Sequence, residues 1–390
     1  MTKIYKSCGV LVVSNEDTEF NVLDSIKKHI EILKGYVGSV NLLCLGEYAI
    51  KTVSKWPSLE KTRRIFPIFI GRSLEEIREW IGLNLDSQSI MEMGVGDQTH
   101  FWFNVLSEIK DNDRIIERLK EKSVHKREKS ILAASVWDGE SSGLLPFLLS
   151  KIKEWETDTI SIAILPSIFQ SSDDHFNTVS SIGLSLAKGT IPILLVDREN
   201  LENYIGVDRR GEILKGNAVI HYLLELILSK ESLIRELNEL SEIFDVNNFT
   251  VLLASGASLR IYGSLKNIFK SLLFRPLLNF NLSSSTICYI LLRIPADMKE
   301  IMTKEMVEKE FSDWIGEKAS FNSLEVSDPI YVNERNDRVD IAVFLGGFSK
   351  NETFMQMSKK SADMARNAIL RGFIERDEWE KILRSLDCLS

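Results

Sequence analysis

Gly139-Glu-Ser-Ser-Gly143 places two glycines and two hydroxyls within five residues. The run lies between an apolar stretch, Ile131–Val136, and an amphipathic one, Leu144–Trp155. Hydroxyls and free backbone N–H groups at a helix start favour a bound anion. A tight connection whose N-cap is Ser141 or Ser142 accounts for the same residues equally well. A second apolar run, Ile160–Leu165, completes a strand, turn, helix and strand. A right-handed crossover of this kind puts the turn at the carboxyl end of its first strand. Ligands of open α/β sheets bind at that edge.

Other chemistries find little support. The five histidines form no paired metal motif, and no Ser-His-Asp order or Cys-His pairing stands out. His100, His175 and His221 fall near the proposed cleft and read as structural residues. The four cysteines (Cys8, Cys44, Cys288, Cys388) are scattered, as core thiols of a cytosolic protein would be. No dinucleotide fingerprint follows the first strand, which argues against a Rossmann-type metabolic enzyme. A net charge of −8 argues against a broad nucleic-acid footprint. No apolar run reaches the ~18 to 20 residues of a membrane span, and the start does not read as a secretory signal. At 390 residues the chain suits two domains, each with an ample core.

Several elements would position the run. Gly9–Val13 reads as a first strand, followed by a turn with Glu16 and Asp17 and a helix carrying Val22, Ile26, Ile30 and Leu33. Val40–Leu45 reads as a second strand that ends at Gly46-Glu47. Ile65–Ile70 is a further strand and Leu74–Ile81 a helix. Gly94 and Gly96 permit a turn with φ > 0 just before Asp97. A helix then runs from Phe101-Trp102-Phe103 to about Lys120. A long helix starts between Gly211 and Asn217 and continues to about Ile243, with Val219, Leu223, Leu226, Ile227, Ile234 and Leu237 at helical spacing. Beyond it come a strand at Thr286–Arg293, a helix at Lys304–Ile315, and strands near Ser320–Tyr331 and Val339–Phe348. Two charged amphipathic stretches follow from Glu352.

The run from Ala133 to Pro146 resembles the signature strand and loop of the tubulin/FtsZ superfamily, GGGTGTG followed by two small residues and proline. Gly139, Ser142, Gly143 and Pro146 match, while Trp137, Asp138 and Ser141 replace glycines. Similar matches recur in order over about residues 8 to 350. The resemblance implies an α/β fold: a doubly wound, mostly parallel Rossmann-like nucleotide domain (1–210), a long central helix (211–243) and a smaller α/β domain (244–350). A C-terminal helical extension (351–390) would follow. It further implies GTP or GDP with Mg2+. Gly139, Glu140, Ser141, Ser142 and Gly143 would hold phosphates, with Gly94, Gly96 and Asp97 facing them. Arg198 and Asn217 would lie at the base, and Glu47 near the metal. Ser172 and Phe176 stand where the family has a ribose-binding acid and an arginine.

In Phe244–Phe249, the counterpart of the family's catalytic loop, Asp245 matches the first acid and Asn248 replaces the second. An amide cannot activate water as a carboxylate does, so hydrolysis is expected to be slow or lost. The function implied is a cytoplasmic cytoskeletal or cell-division protein that binds GTP and self-associates head to tail into filaments, with a cell-division protein as a further partner. The alternative is a nucleotide-free scaffold. The acids Glu16, Asp17, Asp97 and Asp138 favour it, since like charges in one cleft oppose a triphosphate.

Overall fold

The computed structural model describes residues 39–390, except 60–63, 83–88, 97–98, 111, 124–128, 156, 188, 190, 317, 334–335, 350, 388 and 390. The expected first strand, the turn with Glu16 and Asp17, and Asp97 lie outside the described residues.

In the first half, β1 (Val40–Leu45) leads into α1 (Glu47–Ser54), and β2 (Ile65–Gly71) into α2 (Leu74–Ile81). β3 (Ile90–Glu92), α3 (Trp102–Ile109) and α4 (Asp113–Ser123) follow. Next come β4 (Lys129–Ser135), α5 (Gly139–Glu154), β5 (Asp158–Leu165) and α6 (Ser172–Ala187). β6 (Ile193–Asp197) and α7 (Arg198–Asn203) precede a small hairpin of β7 (Gly206–Val207) and β8 (Ile213–Leu214). β1, β4, β5 and β6 are almost wholly buried, which is why they read as unbroken apolar runs rather than alternating ones.

These strands are parallel and lie in the order β3-β2-β1-β4-β5-β6. This is the doubly wound order, and its switch point falls between β1 and β4. Val40–Leu45, expected as a second strand, therefore holds the first-strand position, paired with β2 on one side and β4 on the other. Sequence spacing could not reveal this, because strand order depends on crossovers rather than on local pattern.

The second half joins the same sheet. α8 (Asn217–Ser229) and α9 (Leu233–Phe244) lead into β9 (Asn248–Ser258), which pairs parallel with β6 through Ile193↔Asn248 and Leu194↔Phe249. α10 (Leu259–Tyr262) and α11 (Leu265–Leu272) precede β10 (Ile287–Pro295) and α12 (Lys304–Ile315). β11 (Ser323–Val326), β12 (Ile330–Val332) and β13 (Arg338–Gly346) complete the sheet, with β13 antiparallel between β9 and β10. The single strand expected near Ser320–Tyr331 is thus two short ones, both beside β10. Alternation along β9 sends Phe249, Val251 and Leu253 into one core and Leu252 and Ala254 into another.

The long central helix is interrupted. α8 ends at Ser229, where Lys230 takes extended backbone (φ −114°, ψ 110°), and α9 restarts at Leu233; the Lys230 ammonium reaches Glu236 (2.8 Å) and the hydroxyl of Tyr289 (2.7 Å). α9 then crosses beneath the sheet, where Asn238 donates to the carbonyl of Thr159 at 2.9 Å. Helical periodicity missed the break because the apolar positions keep their spacing across it.

α13 (Glu352–Leu370) and α14 (Arg376–Ser385) pack on α6, so the C-terminal stretches are part of the core. The fit is close: a Cβ on Gly183 would lie 2.7 Å from Ile382. None of the described helices is long and apolar enough to cross a membrane.

Candidate functional site

The switch point places Gly46, after β1, beside Asp138, after β4. Gly46 has φ of 80°, and a Cβ there would lie 2.7 Å from the Asp138 carboxylate. No side chain larger than hydrogen fits, so the two loops close on each other. Glu47, the expected metal ligand, opens α1 and forms an ion pair with Lys51 one turn on. Among the described residues, no group of three or more acidic, histidine or cysteine side chains is placed to hold a metal ion.

Asp138 is the N-cap of α5. Its carboxylate accepts the backbone N–H of Ser141 at 2.7 Å, satisfying one of the donors that a helix start leaves free. Burial pushes its carboxyl up to about 6. Glu140 follows within the first turn. Burial, reinforced by the charges of Asp138 and Glu76, pushes its carboxyl up to about 8. At neutral pH the pair therefore holds one negative charge on Asp138 and a proton on Glu140. An anion at this helix start would have to displace the Asp138 carboxylate from the Ser141 amide. With Asp138 in place, the Ser141 amide is not open to a phosphate.

The remaining signature residues face inward. Gly139, Ser141, Ser142 and Gly143 are all buried. The Ser141 hydroxyl donates to the carbonyl of Ser135. A Cβ on Gly139 would lie within 2.5 Å of the His100 carbonyl, and one on Gly143 2.7 Å from that of Trp102. The two glycines thus admit the α3 segment to α5. Gly94 has φ of 66° and open space around it, as a permissive turn requires. The N–H of Gly96 donates to the carboxylate of Glu108 at 2.7 Å.

Arg198 begins α7 and lies against the mouth of the switch point. Its guanidinium stands 4.9 Å from the ring centre of Tyr48 and 5.6 Å from that of Trp137, and its Nε donates to Glu202 at 2.8 Å. The Tyr48 and Trp137 rings are themselves 5.6 Å apart. Sequence reasoning missed Tyr48; its one signal was a large aromatic, Trp137, standing where the signature has glycine. Asn217 is half-buried at the first position of α8. His221 donates from Nε2 to the Thr52 carbonyl (2.7 Å), and Trp56 donates to Glu225 (3.2 Å), so α8 follows α1 in register. One turn earlier, that register brings Asn217 level with Tyr48.

Other expected residues lie apart from this cluster. Asn248 opens β9, is buried, and donates its amide to the carbonyl of Phe348 at 2.8 Å. Asp245 is exposed at the C-terminus of α9 with φ of 51°, on the edge of the sheet opposite the switch point. Phe176 is buried in an aromatic cluster with Phe101, Trp102, Phe103 and Trp379. Ser172 begins α6.

No protein-family model matches the sequence, and no curated protein matches it. Solved structures match the fold. CetZ from Methanosaeta thermophila has a TM-score of 0.63 at 15% identity, over 88% of this chain and 99% of that one. CetZ2 from Haloferax volcanii, solved as a GTPγS-bound protofilament, has 0.62 at 13% identity, over 85% and 99%. FtsZ from M. jannaschii has 0.58 at 13% identity, over 83% and 96%. Strand order, the position of the switch point and these neighbours agree: the chain has the fold of the tubulin/FtsZ superfamily.

Proposed function

We propose that the chain is a nucleotide-free scaffold of this fold, which associates head to tail without a guanine nucleotide. One observation carries the reading: the Asp138 carboxylate occupies the Ser141 amide at the α5 N-terminus, with Glu140 buried beside it. The Ser141 amide, one of those at the positive helix end that would hold phosphate, is satisfied from within the chain. Tyr48, Trp137 and Arg198 stack over the same mouth and supply the packing that a bound base would otherwise provide. Self-association is supported by neighbours solved as protofilaments and filaments.

The second reading, a GTP-binding filament protein with Mg2+ and weak hydrolysis, is favoured by the GTPγS and GDP in solved neighbours. It requires Asp138 to leave Ser141.

Chromatography of the supernatant from denatured, freshly purified protein separates the two. The scaffold reading expects no guanine nucleotide, and expects GTP to leave sedimentation unchanged. Guanine nucleotide recovered in proportion to protein would reject it.

A further inference from the structure

A groove of about 510 Å³ opens at the far end of β9, over Leu253–Ser258, flanked by Tyr204–Val207 and by α10 and α11. Its rim is apolar and uncovered: Ile205, Ile261 and Phe274 are 57%, 75% and 81% exposed. Arg275 and Arg338 line it, and among the described residues no acid does, the Asp337 carboxylate being held behind the rim by the Ser258 hydroxyl and the Arg260 N–H. An uncovered apolar patch with charge of one sign marks a surface that takes a partner.

The matching surface lies at the other end of the same strand. α9 ends just before β9, and the Asn247 carbonyl accepts the Ile193 N–H at 2.8 Å, which fixes this end at the lower edge of the sheet. Ile243 is 73% exposed there. Glu239, Glu242 and Asp245 are exposed around it, with Arg235 3.5 Å from Glu239. An apolar knob ringed by acids thus faces away from an apolar groove lined by arginines. The eleven residues of β9 separate them by roughly 36 Å at ~3.3 Å per residue. Displacement of one copy along β9 brings the knob to the groove of the next. Such a contact is heterologous and repeats without closing.

We propose that the α9 end of one copy, around Ile243, seats in the groove of the next against Phe274, with Glu242 facing Arg275. This names the contact within the self-association put forward above and rests on it.

The test uses the full chain with Cys8 and Cys388 replaced by serine, since Cys44 and Cys288 are buried. Ile243→Cys combined with Phe274→Cys is expected to give a covalent ladder on mild oxidation, and either change alone none. Glu242→Arg is expected to shift the chain to monomer in sedimentation velocity, and adding Arg275→Glu to restore assembly. Assembly without a ladder, and indifferent to Glu242→Arg, would overturn the contact while leaving self-association standing. A monomer at every concentration would overturn both. Binding of anilinonaphthalene sulfonate abolished by Phe274→Glu, with no ladder, would assign the groove to an anionic amphiphile and overturn the self-contact.

Discussion

The hydroxyl of Tyr222 on α8 donates to the carboxylate of Asp340 on β13 at 2.5 Å. That carboxylate is fully buried and also accepts Nε of Arg293 and the N–H of Gly256, each at 2.7 Å. Arg209, from the connection between β7 and β8, stands 3.6 Å away. One buried acid therefore joins the helix after the switch-point half to three strands of the second half.

Its partners differ in weight. Tyr222→Phe removes one hydrogen bond to a charge and is expected to lower stability by about 1.5–3 kcal/mol. Arg293→Met leaves Asp340 short of its closest counter-charge and is expected to lower it by about 3–5 kcal/mol. Urea titration measures both. Arg293→Met proving as mild as a surface change would mean that water reaches Asp340.

The acids at the switch point make stability depend on pH. Both carboxyls are raised by folding, Asp138 from 3.8 to about 6 and Glu140 from 4.5 to about 8. Between these limits the folded chain holds protons that the unfolded chain has released. Stability therefore falls as pH rises from about 4 to about 8, and the full penalty is present above pH 8. Glu140→Gln removes the larger part and is expected to raise stability above pH 8 by up to about 5 kcal/mol. Unfolding midpoints across this range check it; parallel curves for the two proteins would contradict it.

Gly139 is held by packing. Its missing Cβ leaves room for the backbone carbonyls of Thr99 and His100, which cannot rotate away as a side chain could. Gly139→Ala is expected to lower stability by about 1–3 kcal/mol in protein purified without nucleotide. Thermal unfolding gives the value. An unchanged midpoint would return this glycine to a ligand-facing role.

The crossover around the signature run was legible in outline. Expected strands at Ile131–Val136 and Ile160–Leu165 are β4 and β5, and the amphipathic segment is α5, whose first turn begins five residues earlier, at Gly139. The expected helix Lys304–Ile315 is α12. Such elements announce themselves because burial of a parallel strand, or of one helix face, is written into neighbouring residues.

Sequence alone determined the fold class and the place of the loop at a strand's carboxyl end, since apolar run length, helical period and motif order are local properties of the chain. Only the tertiary structure decided that Val40–Leu45 holds the first-strand position, that the central helix breaks at Lys230, and that Asn248 faces the core. It also decided that Asp138 caps the helix whose start was expected to hold phosphate. Each of these depends on which groups from distant segments compete for one hydrogen bond or one volume, and residue spacing does not encode that competition.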